Sequence, residues 1–286
     1  MLSKTFTQST IKKLNRLFTK QNHYLDACSI NIETAIKYNI KSGEVVYHQF
    51  DGFNDFKDKV ILDFGCGFGG KSLFYGTLNV KEVIGVDIVN NFKRCQEFAD
   101  KDLLPVKFAT LKNNKLPLDD KSIDIVISSA VFEHIENVNE ALDEIYRVLK
   151  PGGLFLLRWH PFRTRYGAHL DDAISIPFAH ILFPEKDILK CYSELLADKY
   201  KNSEKILEMM QDEFYIDIFK EYASYKEFKT NNFLTVKEFA KKLEKTAFTI
   251  KKRTYLFGKK HVPIVSFVPE SMKDYCIDYE IYVLQK

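Results

Sequence analysis

The chain has 286 residues, 45% of them hydrophobic and 28% charged, and its 42 Lys+Arg against 39 Asp+Glu leave a net charge of +3. This composition excludes intrinsic disorder, a collagen-type repeat and a small disulfide scaffold, and the length is ample for a large core. The near-balance of charge argues against a dedicated duplex-binding protein, which needs a strong cationic excess to displace counterions.

The opening segment, MLSKTFTQSTIKKLNRLF, has no apolar core of signal-peptide type, and no run in the chain approaches the ~20 apolar residues of a spanning helix. Cys28, Cys66, Cys95, Cys191 and Cys276 are odd in number and form no CxxC pair. Free thiols in a cytoplasmic protein are the expectation. Residues 1–55 read as a helical lead.

From about residue 60, short apolar runs alternate with amphipathic stretches. VILDF (60–64), EVIGVD (82–87), PVKFA (105–109), IDIVIS (123–128) and GLFLLRW (153–159) read as strands buried on both faces of a parallel sheet. Between the last two, NVNEALDEIYRVL (137–149) reads as a helix with Ala141, Ile145, Val148 and Leu149 on one face, stopped by Pro151 and Gly152-Gly153. The rhythm breaks after Trp159, where helical patterns over 185–200 and 203–228 dominate. Thr235-Val-Lys-Glu238 is a capping box opening another helix, and FTIKKRTY (248–255) and YEIYVLQ (279–285) read as closing strands. The expected architecture is an α/β, Rossmann-like, doubly wound, seven-stranded, mostly parallel sheet with a mainly helical cap inserted after the fifth strand. Residues 56–160 and 230–286 would form the core and residues 161–229 the cap.

The sharpest local signal is Val60-Ile-Leu-Asp63-Phe-Gly65-Cys66-Gly67-Phe-Gly69-Gly70. Glycines after a buried strand allow a tight turn and a close approach of ligand to backbone. Asp87 ends the next strand twenty residues after Gly67, where an acidic side chain can accept hydrogen bonds from a ribose diol. Gly65-x-Gly67-x-x-Gly70 also fits a dinucleotide fingerprint. Against that reading, Asp63 would sit awkwardly beside a pyrophosphate, and the chain closes without a second mononucleotide-binding half.

DFGCGFGG, IGVDI, LPLDDKSIDIVISSAVFEHI and EIYRVLKPGG, in this order, resemble the class I S-adenosylmethionine-dependent methyltransferases of small-molecule type, over residues 55–160 and 230–286. The resemblance implies S-adenosylmethionine as cofactor. Asp63, Gly65, Cys66, Gly67 and Gly69 would line the methionine pocket, and Asp87 would hold the ribose. Ile88 would lie against the adenine, with Thr110 and Leu111 nearby, and Ser129 and Ala130 beneath the sulfonium. The acidic residue usual before the LP dipeptide is missing from Ala109–Lys115, so backbone groups near Thr110 and Leu111 would substitute.

Methyl transfer to a hydroxyl benefits from a general base. Glu133 and His134 follow the fourth strand and His160 and His169 the fifth, so all four should meet at the carboxyl edge; His180 lies further off. The Glu-His pair is similar to one in quinone-pathway methyltransferases that contributes to a metal site, but Ala130 replaces the acidic residue three positions earlier, and no metal is expected. Arg163, Arg165 and Tyr166 open the inserted segment and suit an anionic or polyhydroxylated acceptor. The lysine-rich stretch 237–260 reads as a solvated face rather than a nucleic-acid site. The expected activity is methylation of a small polar metabolite, an O-nucleophile on a sugar- or nucleotide-linked cell-surface precursor. A quinone-like acceptor and a cofactor-binding inactive partner subunit are the alternatives.

Overall fold

The computed structural model describes residues 4–18, 32–88, 90, 92–112, 115–171, 173–200, 232–258 and 260–286. The helical pattern expected over 203–228 lies outside these residues, as does Cys28. Among the described residues, eight strands form one sheet: β1 Val60–Phe64, β2 Glu82–Asp87, β3 Val106–Thr110, β4 Ile123–Ser129, β5 Leu149–Trp159, β6 Thr249–Phe257, β7 Lys260–His261 and β8 Tyr279–Gln285, in the order β3-β2-β1-β4-β5-β8-β6-β7. The five central-to-edge strands β3, β2, β1, β4 and β5 are parallel, and β8, β6 and β7 add on antiparallel. The seven expected strands are present. The eighth arises because Gly258, at φ 62°, turns the chain back so that Phe257 pairs with Lys260.

Alternation along each strand sends neighbours to opposite faces. Ile61, Val83, Ile127 and Leu156 pack beneath α2 (Ile32–Gln49), α3 (Gly70–Gly76) and α4 (Lys93–Lys101), which contribute Ile36, Val46, Leu73 and Cys95. Leu62, Val86, Val126 and Phe155 face α5 (Val138–Val148) and α8 (Val236–Leu243). Asn137 caps α5 by accepting from the Glu140 N–H. The buried face of α5 is Val138, Leu142, Ile145 and Val148, so the expected face is rotated: Ala141 turns toward a cleft and Leu149 already belongs to β5.

A third apolar cluster sits apart from the sheet. Ile11 and Leu14 of α1 (Lys4–Asn15) pack with Ala168, Leu170, Ile174, Ile176, Ile188 and Cys191. These come from the segment after β5, including α6 (Ala179–Leu182) and α7 (Glu185–Tyr200). The Asn15 amide donates to Ala173 O at 2.8 Å and accepts from the Ser175 N–H at 2.7 Å, fastening α1 to that segment. The short α9 (Glu270–Lys273) precedes β8. Among the described residues, no helix is long and apolar enough to cross a membrane.

The order places β1 beside β4, so the chain changes direction of winding between them. In open α/β sheets a ligand crevice lies outside the strand ends at this point.

Candidate active site

An open cleft of about 1040 Å³ runs along the carboxyl edge from β2 to β8. Its first half is built on the β1–α3 turn. Gly65 and Gly67 have φ of 75° and 58°, and the N–H groups of Gly65 and Cys66 both donate to Val86 O. A Cβ on Gly65 would come within 2.3 Å of Val131 Cγ2, whereas one on Gly67 would meet nothing. The backbone at Gly67 is therefore open to a ligand. Its N–H donates to Asp87 Oδ2 at 2.8 Å, which fixes the carboxylate at the rim. Beside it, Ile88 is 75% exposed on the cleft wall.

Gly65, Cys66, Gly67, Asp87, Ile88, Leu111, Ser129 and Ala130 all line the cleft; Asp63, Gly69 and Thr110 do not. Asp63 is 3% exposed and accepts from Ser72 Oγ at 2.7 Å, behind the turn. Burial pushes its carboxyl up to about 6, against the pull of Lys71 and Ser72. Gly69 is required for packing, because a Cβ there would stand 2.4 Å from the Phe108 ring. Thr110 ends β3 and passes the chain to Leu111, whose N–H donates to Asp87 O at 2.8 Å. These three residues support the wall from behind.

The second half gathers the four candidate catalytic residues. The His134 ring is 5.0 Å from that of His169, and His160 is 5.2 Å from His169. His169 Nε2 is 3.7 Å from Glu133 Oε1. The three histidines line the cleft, while Glu133 lies beneath them at 1% exposure. Burial pushes the Glu133 carboxyl up to about 7, opposed by its own N–H, by Arg158 and by the His160 N–H. Burial and then His169 push His134 down to about 3, so its imidazole stays neutral. His180 is turned away, bonded to Phe162 O at 2.8 Å.

Among the described residues, Glu133, His134 and His169 form the set whose donor atoms lie close enough to hold a metal ion, within 4.8 Å of one another. Both Glu133 oxygens, His134 Nδ1 and His169 Nε2 are sealed from solvent.

The arginine expectations change. Arg165 lines the cleft, but its Nε and Nη2 donate to Asp278 Oδ1 and Oδ2, each at 2.6 Å, so its charge is already matched. Arg163 is exposed outside the cleft, near Glu238 and Asp274. Tyr166 lines the wall as expected. Sequence reasoning missed Arg158 and Tyr279, which meet face to face at 3.4 Å on the cleft wall. A charge just before the end of the otherwise apolar run GLFLLRW is the signal that marks Arg158. Asn232 was also missed: its amide donates to Phe132 O and Ile135 O, bracing the turn that carries Glu133 and His134.

Residues 62–157 match the family described as Methyltransferase domain. Over 100 residues the chain is 36% identical to malonyl-[acyl-carrier protein] O-methyltransferase of Yersinia pestis, covering 34% of this chain and 35% of that protein. Over 106 residues it is 31% identical to ubiquinone biosynthesis O-methyltransferase of Rickettsia bellii, covering 37% and 43%. The chain thus spans well under half the length of these relatives. Among solved structures, it resembles a chain from the complex of the Haloferax volcanii Trm112 methyltransferase activator with a methyltransferase, with 14% identity, a TM-score of 0.54, and 93% and 99% of the two chains covered. That likeness shows the fold. Residues 62–157 belong to the class I S-adenosylmethionine-dependent methyltransferase family.

Proposed function

We propose that this protein is a cytoplasmic S-adenosylmethionine-dependent methyltransferase whose acceptor is a small polar molecule presenting a hydroxyl nucleophile. The observation that carries this reading is the cleft itself. A ribose-type carboxylate (Asp87) and an open glycine backbone lie at one end, and a buried Glu–His pair lies at the other.

The fit to the cofactor rests on three features. Asp87 is held by the Gly67 N–H with its carboxylate at the rim, where it can accept from a ribose diol. Ile88 presents an apolar surface that an adenine ring would cover. Ser129 and Ala130 end β4 midway along the cleft, and Ala130 at φ 60° turns the chain away from the ligand path. When bound, the cofactor supplies a methyl group already activated on a sulfonium.

The chain's own residues have two tasks: alignment of the acceptor and removal of its proton. His169 serves as the base in this reading. A proton gained by its imidazole is stabilised by Glu133, 3.7 Å away, once that carboxyl has ionised above about pH 7, the logic of a base oriented by a buried acid. Asn39 and Ser42 of α2 and Asn137 at the start of α5 add polar groups to the cleft lining, in keeping with a hydroxylated, sugar- or nucleotide-linked acceptor.

Titration with S-adenosylhomocysteine tests the cofactor site. The native chain should bind it, and Asp87→Ala should weaken binding by about 1–3 kcal/mol through loss of charge-assisted hydrogen bonds. Unchanged affinity in the variant would remove Asp87 from the ribose site. Release of S-adenosylhomocysteine across a panel of hydroxylated acceptors then reads the activity.

A further inference from the structure

We infer that the acceptor carries a carboxylate, and that Arg158 is the residue that grips it. The inference rests on the methyltransferase reading and adds the chemical class of the second ligand.

Arginines in this fold that sit against the protein meet acids. Arg147 pairs with Asp120 and Glu144, Arg165 with Asp278, and Arg253 with Glu270 and Glu280. Arg158 is the exception on the cleft wall. Its Nη1 donates to Ser129 Oγ at 2.9 Å, its Cζ stands 3.4 Å over the Tyr279 ring, and no carboxylate among the described residues is in ion-pair contact with it. Its Nε is buried without an acceptor, and its Nη2 donates to no described group. The Tyr279 face and Ser129 hold the guanidinium plane in one orientation, with Nε sealed from solvent, so an incoming oxyanion meets a fixed Nη2 edge and not a mobile chain.

The position assigns this edge to the acceptor. Along the sheet edge the order is β2, β1, β4, β5, β8. Asp87 marks the ribose end on β2, and Ser129 on β4 marks the reacting centre. Arg158 on β5 lies one strand beyond, in register with Ser129 and on the side of His160 and Tyr279. Lys71 on α3, which begins at the glycine turn, is a second cation lining the same cleft and is the one this reading gives to the cofactor's own carboxylate. A carboxylate fits the edge better than a neutral amide, since each N–H···O bond to a charged acceptor is roughly twice as strong as its neutral counterpart.

Calorimetry on the full chain saturated with S-adenosylhomocysteine tests the proposal, with benzoate and benzamide as probes of the same shape. Benzoate should bind at least about tenfold more tightly than benzamide. Arg158→Gln should abolish that preference while leaving S-adenosylhomocysteine affinity within about twofold, and Arg158→Lys should keep part of it. Equal responses to the two probes in the native chain, including none to either, would overturn the proposal. So would a large loss of S-adenosylhomocysteine affinity in Arg158→Gln, which would give Arg158 to the cofactor. Failure of the native chain to bind S-adenosylhomocysteine at all would instead remove the underlying methyltransferase reading.

Discussion

Glu133 shows how one buried acid shapes both chemistry and stability. Its carboxyl is pushed from an ordinary value near 4.5 up to about 7 by burial. The folded state therefore holds a proton that the unfolded state has already released. The associated stability is full below about pH 4.5 and is lost as pH rises through about 7. Glu133→Gln removes this dependence. Relative to the native chain, the variant should gain thermal stability steadily between about pH 5 and pH 8, by up to ~3 kcal/mol. Parallel melting curves for the two proteins over that range would show that Glu133 ionises freely in the fold. The glycine turn, Asp87, Glu133, His134 and His160 were legible in the sequence because each lies at or just after the end of a strand, whereas His169 lies well beyond β5. The pairing of Arg165 with Asp278 was not, since its partner lies 113 residues away and is brought there by the pairing of β5 with β8. Local spacing carries no record of such a contact.

Among the elements, those with a complete local code were the clearest. In α8, Thr235 Oγ1 accepts from the Glu238 N–H, and the Glu238 carboxylate accepts from the Thr235 N–H at 2.9 Å, so two otherwise orphaned donors are satisfied. Removing the hydroxyl with Thr235→Ala should lower unfolding stability by about 1 kcal/mol, read as a shift in the urea midpoint with an unchanged slope. No shift would mean that the packing of Val236, Phe239 and Leu243 alone fixes the helix start. Two elements were read less well. The strand β7 has only two residues, too few to show alternation. In α5 the periodicity allowed two neighbouring faces, and contact with Phe132 and Phe155, which no helix pattern encodes, selected the one containing Leu142.

At the scale of the whole molecule, the sheet has a core on each face, and the third cluster joins the N-terminal helix to the segment after β5. We propose that α1 and this segment act as one unit over the acceptor end of the cleft. Ile11 is fully buried at their junction. Ile11→Ala should destabilise that junction by about 2–5 kcal/mol. Hydrogen exchange should then quicken over 4–15 and 185–195 while β1, β4 and β5 keep their protection; uniform loss across all strands would show that the clusters unfold together. The excursion after β5 also begins and ends at one place. The Phe162 N–H donates to Leu234 O at 3.1 Å, and the Asn232 N–H donates to Glu133 O at 2.8 Å. Two chain ends already clasped in this way form a docking port in the scaffold. The excursion between them can therefore vary in length and sequence without disturbing a rung of the sheet, because its two ends are held by the scaffold and not by its own interior.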